Sequence, residues 1–378
     1  MSKRYIMDCI DGIHKMKTDV KSIIKEKNRA EKKREMLNRE WYSLRSILGN
    51  QWAIFYFLLG GREAGKSYAV TDFYVRQFKK YGRPFYWLRL TDASQKKLLN
   101  NNAEKLVDPD LRRKYGLDLV TNGDAVYEVT ERTAKGKIAK KRLMARVLAL
   151  STFYNDKGSG LFDKDFLNDP NMFYNICLDE MNREKNEKNS FDIVYAFTNQ
   201  LENLVRSTKK RLRVICIGNT LEEASDILCA FNFLPEEFGR FKLKKKRAVI
   251  EYIAPTEKYL ERRKGTIADI LMPTASTFTN KIDTDTSLVN KKRLISPTFS
   301  IVFRKDLRFT MWDSNVIAEY NGEKCPEIYM RPYLDGVYSQ DQKNSIIARF
   351  DARAFTFKNL ITFKKFQKEL SLLRPVIR

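Results

Sequence analysis

Apolar residues follow two rhythms along this chain. Short unbroken runs, Ala53–Leu59 (AIFYFLL), Asn175–Leu178 (NICL) and Leu212–Ile217 (LRVICI), have the length and aromatic or β-branched content of buried strands. Between them lie stretches with helical spacing, the clearest being Lys66–Lys80 (KSYAVTDFYVRQFKK), which contains no Gly or Pro. From Gln51 to about Lys245 the two alternate, which predicts an α/β sheet with a parallel core. Two further strand-like runs, Ala125–Val129 and Leu143–Leu150, flank a polar stretch and predict a hairpin.

Beyond Pro255 the rhythm changes. Residues 265–297 carry Pro273, Pro297 and the run TASTFTNKIDTDTS, a loop or linker composition. Strand-like Thr298–Phe303, Phe309–Trp312 and Val316–Tyr320 follow, then an amphipathic helix from about Phe357 to Leu373. Ahead of the sheet, residues 1–49 are helix-prone. Ile6, Ile10, Ile13, Val20, Ile23 and Ile24 form a stripe, followed by the almost wholly polar KEKNRAEKKREMLNRE. That part reads as one or two exposed helices or as a charged spacer. The predicted layout is a basic extension at 1–49, an α/β domain at 50–250, a linker at 251–297 and a smaller α+β domain at 298–378. No internal repeat is visible.

Charge changes the picture. The chain of 378 residues has a formal net charge of +24, an excess that suits a polyanion, most simply nucleic acid. No apolar run of about 18 residues exists, and the N-terminus lacks a signal-peptide core, so a membrane partner is not expected. Five cysteines (9, 177, 216, 229, 325) without C-x-x-C spacing read as reduced thiols of a cytosolic protein. His14, the only histidine, lies in the charged N-terminal segment, so neither a Ser–His triad nor a histidine metal site is expected.

Three motifs carry chemistry. Gly60-Gly61-Arg62-Glu63-Ala64-Gly65-Lys66-Ser67 matches G-x-x-x-x-G-K-[ST] and lies between a predicted strand and a predicted helix, the context this phosphate loop requires. Its backbone N–H groups, with that of Tyr68 entering the helix, would cradle phosphates. Lys66 would reach the β/γ-phosphates, and Ser67 would ligate Mg²⁺ beside bound ATP. The second motif, Asn175-Ile176-Cys177-Leu178-Asp179-Glu180, ends an apolar strand in two acids. Asp179 suits the metal side and Glu180 the activation of an attacking water, a pair that separates hydrolysing P-loop machines of the ASCE type from P-loop kinases. The third is Leu212–Thr220, whose Asn219 fits a γ-phosphate sensor at a strand's carboxyl end or a simple turn. Upstream, Arg206 is the candidate finger delivered to a neighbouring subunit, with Lys209 and Arg211 as competitors; cations there also suit a helix C-terminus.

GGREAGKSYAV, the following KKYGRPFYWLR, ICLDEMNREK and RLRVICIGNT resemble the DNA-encapsidation ATPases of phi-29-like podoviruses, as does Ile346–Phe366 (IIARFDARAFTFKNLITFKKF). The resemblance implies a P-loop ATPase that drives double-stranded DNA into a procapsid as a homo-oligomeric ring. It further implies a pentamer docked on the portal in the host cytoplasm, with a packaging RNA as a possible component. It assigns Lys66 and Ser67 to nucleotide, Asp179 and Glu180 to metal and water, and Arg206 to the trans finger. Arg89 matches an arginine closing the second strand, which would sense nucleotide, couple neighbouring subunits or form a strand-end ion pair. The C-terminal part would be a vestigial RNase H-like nuclease fold that binds DNA or docks rather than cuts. Asp306, Asp313, Glu319, Asp335 and Asp351 are its available carboxylates.

The chain departs from the family pattern in its longer N-terminal extension and in one extra residue near Arg206. Arg62 fits packaging motors; Glu63 has no use beside phosphates and is expected to point outward. For DNA, three basic stretches stand out. These are Arg183, Lys185 and Lys188 after the acid pair; Arg132, Lys135, Lys137, Lys140, Lys141, Arg142 and Arg146 in the hairpin; and Arg240–Arg247. A helicase-like ATPase, a gated metal-dependent nuclease and a nucleotide switch remain alternatives at this stage.

Overall fold

Strands β1 (Phe55–Gly60), β2 (Phe85–Arg89), β3 (Leu119–Asn122), β4 (Ala125–Arg132), β5 (Ile138–Ala149), β6 (Phe173–Leu178), β7 (Arg211–Asn219), β8 (Gly239–Leu243) and β9 (Ala248–Tyr252) form one sheet. Its order is β3-β4-β5-β2-β6-β7-β1-β9-β8. The computed structural model describes residues 40–156, 173–182, 191–205, 211–219, 225–271, 287–290, 299–304, 307–312, 315–321 and 339–371, with Lys27. The six strands from β5 to β9 in that order are parallel. The β3–β4 hairpin joins β5 antiparallel at one edge, and β8 joins β9 antiparallel at the other. Strand β7 separates the glycine-loop strand β1 from the acid-tipped strand β6, as expected for the ASCE type.

The helices, named in chain order, are α1 (Lys66–Tyr81), α2 (Asp92–Ala103), α3 (Pro109–Tyr115), α4 (Ile193–Val205), α5 (Asp226–Ala230), α6 (Glu257–Arg263) and α7 (Ile267–Leu271). Alternation along the central strands sorts two cores. Tyr56 and Leu58 of β1 face Val70, Tyr74 and Phe78 of α1 and the apolar sides of α2 and α3. Phe57 and Leu59 face Ile193 and Phe197 of α4 and Ile227 and Leu228 of α5. With both faces covered, the central strands are apolar at most positions, which is why they read as nearly continuous apolar runs.

Local signals agree with the layering. Helix α1 stops at Gly82, whose φ of 65° only glycine adopts freely, with Lys79 and Lys80 at its negative end. Thr91 and Ser94 cap α2 reciprocally, directly after β2. Cys177, Cys216 and Cys229 are buried and in no disulfide.

The chain before and after the sheet packs against it. Leu44 and Ile47 enter the first core, so residues 40–49 of the basic extension belong to the α/β unit. Strand β9 runs to Tyr252 and α6 returns to the glycine loop, so this unit continues past the boundary expected at 250.

The C-terminal unit is α+β. Strands β10 (Phe299–Arg304), β11 (Leu307–Trp312) and β12 (Asn315–Asn321) form an antiparallel meander, and β13 (Thr356–Phe357) joins β12 in parallel. Helices α8 (Gln340–Asp351) and α9 (Leu360–Ser371) complete it, the latter close to the closing helix the sequence predicts. Ile301, Phe309, Phe355, Phe357, Phe366 and Leu370 form its core, with Phe309 edge-on to Phe366 at 5.0 Å. Lys368 pairs with Asp192 of the larger unit at 2.7 Å. Among the described residues no helix is long and apolar enough to cross a membrane.

Candidate active site

Strands β1, β6 and β7 end at the same edge, and what stands at their tips makes the site. Gly60 closes β1 and Lys66 opens α1, so the five residues between form the connecting loop. Two of them hold positive φ, Glu63 at 61° and Gly65 at 82°. A Cβ on Gly65 would also lie 3.0 Å from Trp41 Cε3, so glycine is required there twice over. Lys66 is buried and its Nζ donates to the carbonyls of Gly60 (2.9 Å) and Gly61 (2.6 Å). Burial pushes its ammonium down to about 8, against the pull of Asp179.

Opposite the loop, Asp179 follows β6 and is buried. Ser67 Oγ donates to Asp179 Oδ1 at 3.2 Å. Burial pushes the Asp179 carboxyl above its usual range, and the neighbouring Arg89 opposes that rise. Arg89, at the tip of β2, holds both acids: Nη1 lies 2.8 Å from Asp179 Oδ2, and Nη2 lies 2.7 Å from Glu180 Oε2. Glu180 is more than half exposed and has φ of 55°, which turns its side chain out of the strand line. Asn219 ends β7 in register with Gly60. At Gly218 before it, a Cβ would meet the side-chain end of Asn182, Nδ2, at 2.7 Å, so a larger residue would displace that side chain.

These tips enclose one open cavity of about 480 Å³, lined by the loop from Arg62 to Ser67, by Tyr68, and by Asp179, Glu180 and Asn219. A lysine, loop amides and a hydroxyl-carboxylate pair converge there, a donor set for a triphosphate with a hard dication. The Ser67 hydroxyl and Asp179 carboxylate fit Mg²⁺, and a bound dication would offset the cost of Asp179's buried charge.

The outer side of the loop holds what the sequence did not foretell. Tyr42 N–H donates to the Ala64 carbonyl at 3.0 Å. From α6, Tyr259 Oη donates to the Arg62 carbonyl (2.9 Å) and Arg262 Nη2 to the Glu63 carbonyl (2.6 Å). Arg263 Nη1 pairs with Glu63 Oε2 at 3.0 Å, which ties the Glu63 carboxylate to α6. A second cavity of about 340 Å³ adjoins the loop at Ala64, walled by Trp41, Tyr42, Tyr252, Pro255 and Tyr259. At its back Tyr42 Oη donates to Glu251 at 2.6 Å, and Arg240 holds the same carboxylate at 2.6 Å. The one signal for this wall was the aromatic pair Trp41-Tyr42 just ahead of β1.

The basic stretches fare unequally. Cross-strand acids meet much of the hairpin: Arg132 pairs with Asp118, Lys140 with Glu131, Arg142 with Glu128 and Arg146 with Asp124. Lys141 lies over the Tyr127 ring at 4.2 Å. Lys135 and Lys137, at and beside the turn, are exposed and have no acidic partner among the described residues. The turn lies at the sheet edge opposite the nucleotide cavity; β5 begins seven residues before Ala145 meets Phe85, a reach of about 23 Å. Arg240 is committed to Glu251 and Ser46, whereas Lys244, Lys245 and Lys246 are exposed in a single turn at that same edge. Arg183, Lys185, Lys188, Arg206 and Lys209 lie outside the described residues, as do Asp306, Asp313 and Asp335.

Comparison with known proteins agrees with this geometry. The family described as Podovirus DNA encapsidation protein (Gp16) matches residues 36–316. The DNA packaging protein of Bacillus phage phi29 is 27% identical over 212 residues, which are 55% of this chain and 55% of that protein. That of Bacillus phage B103 is 24% identical over 267 residues, 68% of this chain and 73% of its own. The match thus spans about half the length of the phi29 protein. In fold, the chain is similar to a subunit of the bacteriophage Phi-29 viral genome packaging motor assembly, with a TM-score of 0.60, 20% identity, and 89% and 100% of the two chains covered. The Phi-28 gp11 DNA packaging motor gives a TM-score of 0.60 at 12% identity, over 90% and 99%. With the family matched across most of its length and the phosphate loop, acid pair and sheet order in place, the chain belongs to the podovirus DNA encapsidation protein (Gp16) family.

Proposed function

We propose that this protein is the ATP-hydrolysing subunit of a motor that moves double-stranded DNA into a procapsid. The observation that carries the reading is the convergence of Lys66, Ser67, Asp179 and Glu180 on one cavity, with Arg89 paired to both acids, in a member of a DNA-encapsidation family. In this reading the loop amides and Lys66 bind and orient the triphosphate, and Lys66 leaves its two loop carbonyls for phosphate oxygens. Mg²⁺ held through Ser67 and Asp179 would neutralise charge developing on the phosphates. Glu180 accepts a proton from the attacking water, and Arg89 sets the direction of both carboxylates. Asn219, at the tip of β7, faces the place of the γ-phosphate. The aromatic cavity at Trp41 and Tyr259 takes the nucleobase, adjoining the phosphates through Ala64.

The +24 charge supports DNA as the load. Lys135 and Lys137 at the hairpin turn are the described residues best placed for phosphate contact, together with the sequence candidates Arg183, Lys185 and Lys188. The ring, its portal and procapsid contacts, an RNA component and action in the host cytoplasm are further parts of the proposal that rest on family resemblance. So does Arg206 as the trans finger. The C-terminal unit is read as a DNA-binding or docking module, not a nuclease. Plasmid cleavage with Mn²⁺ that disappears in Asp313→Ala or Asp335→Ala would reverse that reading.

The central test is Mg²⁺-dependent ATP hydrolysis with DNA present. Lys66→Ala should abolish binding and turnover, and Glu180→Gln should lower turnover by about 10² or more while ATP still binds. Turnover that survives Glu180→Gln would remove that residue from catalysis.

A further inference from the structure

The glycine loop is gripped on its outer side by a helix whose side chains the hydrolysis chemistry does not use. Tyr259, Arg262 and Arg263 of α6 reach, in turn, the Arg62 carbonyl at 2.9 Å, the Glu63 carbonyl at 2.6 Å and the Glu63 carboxylate at 3.0 Å. Arg263 is 5% exposed and pairs with that carboxylate, whereas Glu63 itself reaches toward solvent. Glu63 holds a φ of 61°, a left-handed conformation that residues with a Cβ adopt at a cost. Such a conformation persists where its surroundings over-determine it, and Arg262 and Arg263 are those surroundings. Trp41 completes the grip: the Arg262 guanidinium lies 3.8 Å from its ring centroid, and the ring edge sits against Gly65. Both positive-φ positions of the loop are therefore held from outside, and these are the positions that shape its amides into a cradle.

We propose that Arg263, Arg262 and Tyr259 are positioning residues for triphosphate binding: α6 keeps residues 62–65 in the phosphate-receiving shape, and an occupied loop in turn holds α6. This deepens the reading of the loop as an ATP site and rests on it. The coupling is reciprocal by thermodynamic necessity. Strand β9 passes into α6 through residues 253–256, and α6 leads on through 264–271, so the helix lies where the chain leaves the ATPase sheet. Loop occupancy is thereby felt at the segment leading toward the C-terminal unit.

The test is a charge exchange in the full-length protein. Glu63→Arg and Arg263→Glu should each raise KM for ATP by about tenfold with kcat changed far less, and the exchanged pair should recover most of the loss. Singles with unchanged KM, or an exchange no better than the singles, would overturn the proposal. A second measurement needs no variant: hydrogen exchange of the 257–263 amides in the native protein should slow when a non-hydrolysable ATP analogue binds. Unaltered exchange in α6 with the analogue bound overturns the coupling. Failure of the analogue to bind, or full ATPase activity in Lys66→Ala, would instead remove the ATP reading beneath it.

Discussion

Lys66 concentrates the chemistry of the phosphate loop. Burial holds its ammonium at about 8, so near neutral pH it stays charged, satisfied by two loop carbonyls. A bound triphosphate favours the charged form and lifts that value. Below pH 8 the lysine is protonated free and bound, and affinity should be flat. Above pH 8 binding must take up a proton, so affinity should fall by up to about tenfold per pH unit. Calorimetry at pH 8.5 in buffers of different ionisation enthalpy should register that uptake, and Lys66→Arg, charged throughout, should show none. Arg89 and Glu63 teach the complementary lesson. Each lies in a readable motif, yet its role is set by partners 90 and 200 residues distant, Asp179 and Arg263. No local spacing encodes such contacts.

Among the elements, the β4–β5 hairpin shows how a charge run changes meaning once its neighbours are in place. As a string, residues 132–146 are cationic with no acid; in the sheet, Arg142 and Lys79 both meet Glu128, at 2.6 and 2.8 Å. Glu128 is buried, which pushes its carboxyl up, but the hydrogen bonds from Lys79 and Arg142 outweigh burial and hold it below its usual range. A carboxylate held low contributes stability above its unfolded pKa, and that stability is lost as pH falls through the folded value. Glu128→Ala should therefore cost about 2 kcal/mol in urea unfolding at pH 7, and the difference from the native protein should shrink toward pH 3. The elements themselves were largely legible. The β1 run, the α1 spacing and the three C-terminal strands lie within a few residues of their predicted positions; for β1, burial on both sheet faces leaves a plain apolar signature. The two-residue β13 and the seven-residue α6 were not, being too short to show a period.

For the molecule as a whole, the sheet order decides what can work together. Strand β7 lies between β1 and β6, so Asn219 stands between loop and acid pair although it follows them in sequence. The cavity they form is open, and in the proposed ring Arg206 would reach it from a neighbouring subunit. Mixing Arg206→Ala subunits with Lys66→Ala subunits should then restore ATPase activity that neither has alone, peaking near equal ratios. Absence of rescue at every ratio would take Arg206 out of the trans role. The sequence by itself determined the phosphate loop, the acid pair, the alternating α/β plan and the surplus of positive charge, because each is written in contiguous residues or in composition. Tertiary structure alone decided that Arg89 bridges both acids, that four of the hairpin's seven cations pair with acids, and that Trp41 and α6 close on the loop. Those are contacts between distant stretches of chain, and their energies depend on burial and partner distance, which exist only after folding.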